Sequence, residues 1–360
     1  MKRKTQALIK KIGEAIVVIL LVSFICFSIV GVIPIKNSIG RRFGLHGFPG
    51  ESDDYLILYN KFGFEMGLLW EDGSEINFFI RYFQWLGFAR DNTGNFSGLL
   101  QGDLGNSWRS ELNLNDFLPP KILFTLVFSM LFFIFYFSID YLYCSYNLLT
   151  MNSKFQQFKK KTFRKLVIIP TLLMGLLIER LAWKVFDLEY EFDNKLQIES
   201  FILDKNFYLF MIFPFLVVTF WSLLFSTRNI SINEEVIIPF VYREYLWNFG
   251  YTKDKLVKIY TRNIITFQLH YTRDNLSMFY SVIMIIECLF NLPGLTNNFL
   301  VFSKHMDLSS LLSSIFVFSL MLIIHRLFLD IILVFIDPGV LEGKPKFQLG
   351  TLKTKWIMQF

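Results

Sequence analysis

The side chains able to do chemistry in this chain are sparse, and their spacing matches no catalytic or metal-binding pattern. No two histidines have the four-residue spacing of a zinc-binding helix, and the three cysteines are far apart in the sequence. The glycines form neither the GxGxxG pattern nor the GxxxxGK[ST] pattern, which are the two that hold nucleotide phosphates. No nucleophile is paired with a base in a way that supports an intramembrane enzyme. The sequence therefore predicts no metal site, no catalytic residue and no nucleotide-binding loop in the chain itself.

The remaining candidates are ionisable side chains within or beside long apolar runs. They are Asp140, Glu179, Arg180, Lys184, His325, Arg326 and Asp330. A charge at the centre of a bilayer costs about 2.5 to 3.5 kcal/mol, so each of these side chains is a candidate for function. Arg326 and Asp330 are four residues apart, on one face of a helix, and we predict that they neutralise each other.

Glu287 interrupts another apolar run, which stops at Pro293-Gly294. Proline disfavours helical backbone at the residue before it and glycine permits a turn, so we predict that a helix ends here. Glu287 then lies about one and a half turns before that end. There its carboxylate can cap loop amides or pair with a basic residue of the loop. Direct contact with a substrate is the alternative.

The composition predicts a membrane protein. Hydrophobic residues make up 53% of the chain, charged residues make up 18%, and the mean hydropathy is +0.44, which is too apolar for one soluble core. Six apolar runs reach the length that crosses a bilayer, two of them only with their flanking residues. These runs are 15–35, 122–139, 166–178, 207–226, 276–286 and 308–324. We predict an all-α polytopic membrane protein with six transmembrane helices.

Basic residues indicate the orientation, because Lys and Arg are enriched in the cytoplasmic segments of membrane proteins. If the chain has six spans, 22 Lys and Arg residues outside the spans lie on the side of both termini and 10 lie on the opposite side. Both termini are therefore predicted to be cytoplasmic. The first run is too long for a signal peptide and lacks a small-residue cleavage site, which favours a permanent helix. The net charge of +6 follows from this topology and does not indicate nucleic acid. The predicted parts are a leader with the first helix (1–35), a long extracytoplasmic loop region (36–118), a five-helix domain (119–340) with a cytoplasmic segment (227–273), and a cytoplasmic tail (341–360).

Four short motifs stand at intervals along the predicted spans. They are Gly102-Asp103-Leu104-Gly105 with Ser107 before the second span, Arg262-Asn263 before the fifth, Glu287 with Phe290 and Pro293-Gly294-Leu295 at the end of the fifth, and Asp330 with Asp337-Pro338 at the end of the sixth. In type and order they resemble motifs of the permease subunits in the dipeptide, oligopeptide and nickel ABC importer family. The resemblance covers residues 15–35, 84–136 and 244–340, and it is poor over 140–230.

The resemblance implies a type I ABC importer permease fold, and a role like that of the first membrane subunit of oligopeptide importers. It also implies four partners: a second permease subunit of similar fold, two cytoplasmic ATPase subunits, and an extracytoplasmic substrate-binding lipoprotein. ATP and Mg²⁺ would bind to the ATPase subunits, so this chain is expected to hold no cofactor and not to be an enzyme. The implied location is the bacterial cell membrane, with lipid around the spans. Peptides and nickel chelates are both carried by such permeases.

By position in this family, the segment Tyr242 to Gly250 resembles the coupling helix, which fits a groove on an ATPase subunit. The expected contacts come from Tyr242, Glu244, Tyr245, Trp247, Phe249 and Gly250. The family has small residues before the glycine, whereas this chain has aromatic ones. These can fill a wider groove, lie flat in the lipid interface, or mark a loss of coupling.

A membrane scaffold or sensor that does not transport is the second hypothesis, because the coupling segment differs from its relatives. Neighbouring genes separate the two hypotheses. Genes for two ATPases and a lipoprotein beside this one favour transport, and a lone gene favours the scaffold.

Overall fold

The computed structural model describes residues 2–31, 53–91, 94–107, 113–149, 171–186, 205–237, 248–305 and 307–336. Within these ranges the regular structure is helical, and the β contacts are limited to the isolated bridges Leu69–Glu75 and Asn106–Asn113. The helices are α1 (Lys2–Gly31), α2 (Asp53–Glu65), α3 (Phe78–Leu86), α4 (Leu114–Leu149), α5 (Thr171–Phe186), α6 (Lys205–Ile237), α7 (Lys253–Asp274), α8 (Leu276–Leu289), α9 (Asn297–His305) and α10 (Leu308–Ile336). A 3₁₀ turn covers Leu99–Gln101.

Three of these helices are long and apolar enough to cross a membrane. The stretches concerned are Leu8–Ile29 of α1, Leu114–Ser145 of α4 and Leu308–Ile336 of α10, and each overlaps a predicted span. Two shorter apolar stretches, Phe210–Ser226 of α6 and Leu276–Leu289 of α8, coincide with two further predicted spans. The predicted third span overlaps α5, which has 16 residues. The described chain is therefore mostly helical, and its long apolar helices indicate a membrane protein.

Helix α1 lies antiparallel to α10. Lys11, in the first half of α1, pairs with Asp330 near the end of α10 at 3.8 Å. In the second half of α1, Phe27 shares an apolar cluster with Leu312, which is near the start of α10. We call the end of the bundle that holds Lys11 and Asp330 the basic end, and the end that holds Phe27 and Leu312 the loop end.

Aromatic side chains fill the centre of the bundle between α4, α6 and α8. Phe279 is the hub, with ring centroids 5.9 Å from Phe132, 4.6 Å from Tyr136 and 5.2 Å from Trp221. All three pairs have edge-to-face geometry, which contributes about 0.5 to 1.5 kcal/mol per pair beyond the burial of apolar area. This apolar layer separates the polar side chains of the loop end from those of the basic end.

Helix α3 packs on α1 at the loop end. Asn77 caps its first turn, because Asn77 Oδ1 accepts a hydrogen bond from Phe79 N at 2.9 Å. The Tyr82 hydroxyl lies 2.9 Å from Ser23 Oγ of α1, and the rings of Tyr82 and Phe27 are 5.4 Å apart. The region between the first two predicted spans therefore contains helical structure that packs on α1.

Candidate functional site

Glu287 lies in the last turn of α8 and is fully buried. The backbone N–H of Thr296 donates to Glu287 Oε2 at 3.1 Å, and the Thr296 hydroxyl donates to the same oxygen. The carboxylate therefore caps the turn that follows α8, which confirms the first of the roles expected from the sequence. Within the described ranges, Glu287 forms no ion pair with a basic side chain.

Gly294 is required in this turn for a different reason from the one that the sequence suggests. The residue with left-handed backbone is Asn291, at a φ of +47°, and Gly294 does not have a positive φ. Instead, Gly294 faces the carboxylate of Glu287, and a Cβ at this position would overlap the carboxylate atoms. A side chain at position 294 would therefore displace the group that caps the turn.

Two side chains of α4 hold the same turn from the neighbouring helix. Thr125 is fully buried, and its Oγ1 accepts a hydrogen bond from Leu295 N at 2.8 Å. Lys121 is also buried, and its Nζ donates to Asn298 Oδ1 at 2.6 Å. The same Nζ lies 3.9 Å from the centroid of the Phe117 ring. The amide oxygen and the aromatic face together compensate for part of the cost of burying an ammonium group.

The loop from Gly102 to Ser107 is held in shape by its own side chains. Gly102 and Gly105 have φ angles of +79° and +81°, a conformation that residues with a side chain rarely adopt. Asp103 Oδ1 accepts from Gly105 N at 2.9 Å and from Asn115 Nδ2 at 3.1 Å. Asn115 Oδ1 in turn accepts from Leu104 N at 2.9 Å. The Asp103 and Asn115 side chains therefore fix the loop on the first turn of α4.

Side chains at the start of α10 bind the other side of this loop. Ser107 Oγ donates to Asp307 Oδ2 at 2.5 Å, and Ser310 Oγ donates to the same oxygen at 2.8 Å. One turn further along α10, Ser313 Oγ donates to the carbonyl oxygen of Leu104 at 2.8 Å. Asp307 therefore caps the first turn of α10 and also accepts a hydrogen bond from Ser107 of the loop.

The loop and the turn after α8 meet at the loop end of the bundle. Leu104 of the loop and Leu295 of the turn belong to one apolar cluster, which also contains Leu118 of α4 and Val317 of α10. Leu118 and Leu295 are fully buried in this cluster. Two of the four sequence motifs, almost 200 positions apart, are thus in one structural unit.

We expect Ser107→Ala to lower the stability of the protein by about 2 kcal/mol, because the buried Asp307 carboxylate loses a hydrogen-bond donor. In mild detergent this corresponds to a fall in Tm of about 3 °C for a chain of this length. Ser281→Ala is the matched control, since Ser281 is exposed and donates to the Ser277 carbonyl oxygen of its own helix. Equal melting temperatures for the two variants would contradict the proposed attachment of the loop.

Five side chains at the loop end were not predicted from the sequence: Lys121, Thr125, Thr296, Asn298 and Asp307. The capping role of Asp307 could have been predicted from the sequence, because an aspartate directly before an apolar helical run is a typical N-cap. Thr296 donates to Glu287, nine positions earlier in the chain, whereas Lys121, Thr125 and Asn298 make contacts across the fold. The Lys121–Asn298 contact, for example, joins residues 177 positions apart, and no local pattern reveals such a pair.

Asp330 joins three helices at the basic end. Its carboxylate lies 3.8 Å from Lys11 Nζ of α1 and 3.4 Å from Arg273 Nη1 at the end of α7. The predicted pairing of Asp330 with Arg326 is wrong, since no ion pair joins these two described side chains. Arg326 is exposed, whereas Asp330 is buried against basic residues of neighbouring helices that already contact its carboxylate.

The remaining motif residues belong to α7, to the end of α8 and to the sequence after α10. Arg262 and Asn263 lie within α7, and Asn263 is exposed. Phe290 follows the last residue of α8 and is buried in the central apolar cluster. Asp337 and Pro338 lie outside the described residues.

Two of the predicted ATPase-coupling residues, Phe249 and Gly250, are described. The Phe249 side chain is 64% exposed, and Gly250 has a φ of +76°. Helix α7 begins three residues later, at Lys253. Tyr242, Glu244, Tyr245 and Trp247 lie outside the described residues.

Among the described residues, no group of three His, Cys, Asp or Glu side chains is placed to hold a metal ion. No known family model matches the chain, and no curated protein is similar to it in sequence. The candidate site therefore rests on the geometry of this chain: a capped turn with a docked loop at the loop end, and an ionic junction of three helices at the basic end.

Proposed function

We propose that this chain is a permease subunit of an ATP-driven ABC importer, with oligopeptides as its substrate class. In this role it forms half of a translocation pathway together with a second permease subunit. One observation carries the proposal. The loop from Gly102 to Ser107 and the turn from Glu287 to Leu295 resemble two motifs of one importer family, and they pack together through buried contacts. If the two motif matches were due to chance, residues so far apart in the sequence would not be expected to lie together in the fold.

The proposed topology has six spans in a bacterial cell membrane with both termini in the cytoplasm. Helices α1, α4, α5, α6, α8 and α10 supply these spans. The basic end, which carries Lys10, Lys11, Arg273 and Arg326, faces the cytoplasm, in agreement with the bias of basic residues to that side. The loop end then faces outward, where a substrate-binding lipoprotein delivers the substrate.

The mechanism that we propose is alternating access driven from the cytoplasm. Two ATPase subunits hold ATP and Mg²⁺, and their closure displaces the coupling segment that ends at Gly250. Helix α7 follows this segment, and its far end carries Arg273, which pairs with Asp330. Because Asp330 also pairs with Lys11, a displacement of α7 reaches α1 and α10 together. The ionic junction therefore provides a direct mechanical link between the coupling segment and two spans.

Uptake of labelled oligopeptides by cells that lack only this chain tests the proposal. We expect uptake to fall to the background level and to return when the wild-type chain is supplied from a plasmid. Uptake of a free amino acid by the same cells is the control for membrane energisation. Undiminished oligopeptide uptake in the deletion strain would defeat the proposal for this substrate class.

A scaffold or sensor without transport activity is the second candidate. The exposed aromatic side chain of Phe249 favours it, because the importer family has small residues in this segment. A wild-type chain that purifies without ATPase subunits, from a locus without ATPase genes, would support this candidate.

A further inference from the structure

A second set of polar side chains is buried between α4, α6 and α7, away from the site at the loop end. Its members are Asp140 of α4, Ser222 and Ser226 of α6, and Gln268 and Thr272 of α7. None of the five is more than 3% exposed, so neither solvent nor a partner protein reaches them directly. We call this set the Asp140 cluster.

The three helices present these residues on facing surfaces. The Asp140 carboxylate lies within reach of the Ser226 hydroxyl and the Gln268 amide. Ser222 lies one helical turn before Ser226, and Thr272 lies one turn after Gln268. Ser222 is next in sequence to Trp221, and Thr272 is next to Tyr271, whose ring centroid lies 5.4 Å from that of Phe225. Both additional hydroxyls therefore extend the cluster towards the aromatic layer.

The polar atoms of the cluster are not satisfied by the protein. Asp140 Oδ1, the three hydroxyl oxygens and Gln268 Nε2 have no hydrogen-bond partner of acceptable geometry. Asp140 takes part in none of the ion pairs formed by the described residues. Unpaired polar groups are costly to bury, and an unpaired carboxylate is the most costly of them.

The aromatic layer closes the cluster on the side of the bundle centre. Tyr136 lies one turn before Asp140, and its ring contacts Phe225 and Phe279 at centroid distances of 6.1 and 4.6 Å. Trp221 and Phe225, which are next in sequence to the two serines, stack at 4.6 Å. Such surroundings exclude bulk water and strengthen the attraction between a carboxylate and a positive charge.

We propose that the Asp140 cluster binds one alkali-metal cation, sodium or potassium. Four oxygen atoms without partners are the donors that such hard cations prefer, and Gln268 supplies a fifth oxygen when its amide is turned over. A single positive charge neutralises the single carboxylate. A divalent cation would leave one unit of positive charge unneutralised in the buried site. A water molecule would not neutralise the carboxylate at all.

The bound cation ties α7 to α4 and α6. Because α7 directly follows the segment that ends at Gly250, occupancy of the site stabilises one position of α7 within the bundle. This role does not depend on the proposed importer function, since any movement of α7 relative to its neighbours opens the cluster.

The test measures thermal unfolding of the full-length chain in mild detergent, with choline chloride replaced stepwise by sodium, potassium or lithium chloride at constant ionic strength. We expect a saturable rise in Tm of about 4 °C or more with the preferred cation. Asp140→Asn and Ser226→Ala should abolish this rise. Asp274→Asn, at an exposed carboxylate on the same helix α7, should keep it.

Binding of radioactive sodium to the wild-type chain, with displacement by each unlabelled cation, supports the test if Asp140→Asn does not fold. Saturable binding, displaced best by the cation that raises Tm most, is the expected result. Equal Tm values in all four salts together with no saturable binding would overturn the proposal. So would a cation-dependent rise in Tm that persists in a folded Asp140→Asn variant.

Discussion

Replacing Gly294 by alanine should lower the stability of the native structure and the yield of folded protein. The added Cβ overlaps the Glu287 carboxylate, which is fully buried and caps the following turn through Thr296. Overpacking of this kind costs about 3 kcal/mol, which corresponds to a fall in Tm of about 4 °C for a chain of this length. The yield of monodisperse protein from membranes and its Tm in detergent measure the effect.

Gly13→Ala is the matched control for this prediction. Gly13 lies within α1, and a Cβ there would meet no atom within 4 Å, so this variant should be at least as stable as the wild type. The double variant Gly294→Ala with Glu287→Ala tests the cause. Because the carboxylate is then absent, the combined loss of stability should be smaller than the sum of the two single losses. A Gly294→Ala protein as stable as Gly13→Ala would contradict the packing described for this turn.

Replacing both Trp247 and Phe249 by alanine should abolish oligopeptide uptake without lowering the amount of the chain in the membrane. Phe249 is 64% exposed, so its truncation leaves the core of the protein unchanged. If these aromatic side chains anchor an ATPase subunit, their loss costs about 2 kcal/mol each, or on the order of a thousandfold in affinity together. Uptake, and ATPase recovered with the tagged chain, are the two measurements.

Phe328→Ala is the control for the coupling variant, because Phe328 is 51% exposed and belongs to α10 rather than to the coupling segment. This variant should transport normally. Normal uptake by the double variant would show that the aromatic residues do not couple the chain to an ATPase. Such a result would favour the view that they lie in the lipid interface.

The end of α8 shows what could be predicted from sequence. Proline and glycine act on their own backbone and on the adjacent residue, so Pro293 and Gly294 placed the end of the helix near Phe290 without any knowledge of the fold. The capping role of Glu287 followed from its position close to that end. Its actual donor, Thr296, lies nine positions further along the chain. The support from Thr125 depends on how α4 packs, which the sequence does not reveal.

Asp330 shows where local reasoning fails. Spacing by four residues made Arg326 the natural partner, but helix spacing states only which side chains share a face. The packing of α1 and α7 against α10 brings Lys11 and Arg273 to the carboxylate instead. Asp140 is a similar case, because its polar surroundings come from two helices more than 80 positions away in the sequence. The long apolar runs, by contrast, located α1, α4 and α10 correctly, since composition alone decides which segments suit a bilayer.

Co-purification of the wild-type chain from its native membrane tests the importer proposal most directly. The chain carries an affinity tag, is extracted in mild detergent, and is analysed together with its bound proteins by quantitative mass spectrometry. We expect one second permease subunit and two ATPase subunits for each copy of the chain, at ratios that persist when the detergent is changed. Recovery of the intact chain alone, or with proteins unrelated to ATPases, would contradict the proposal that it is a subunit of an ATP-driven importer.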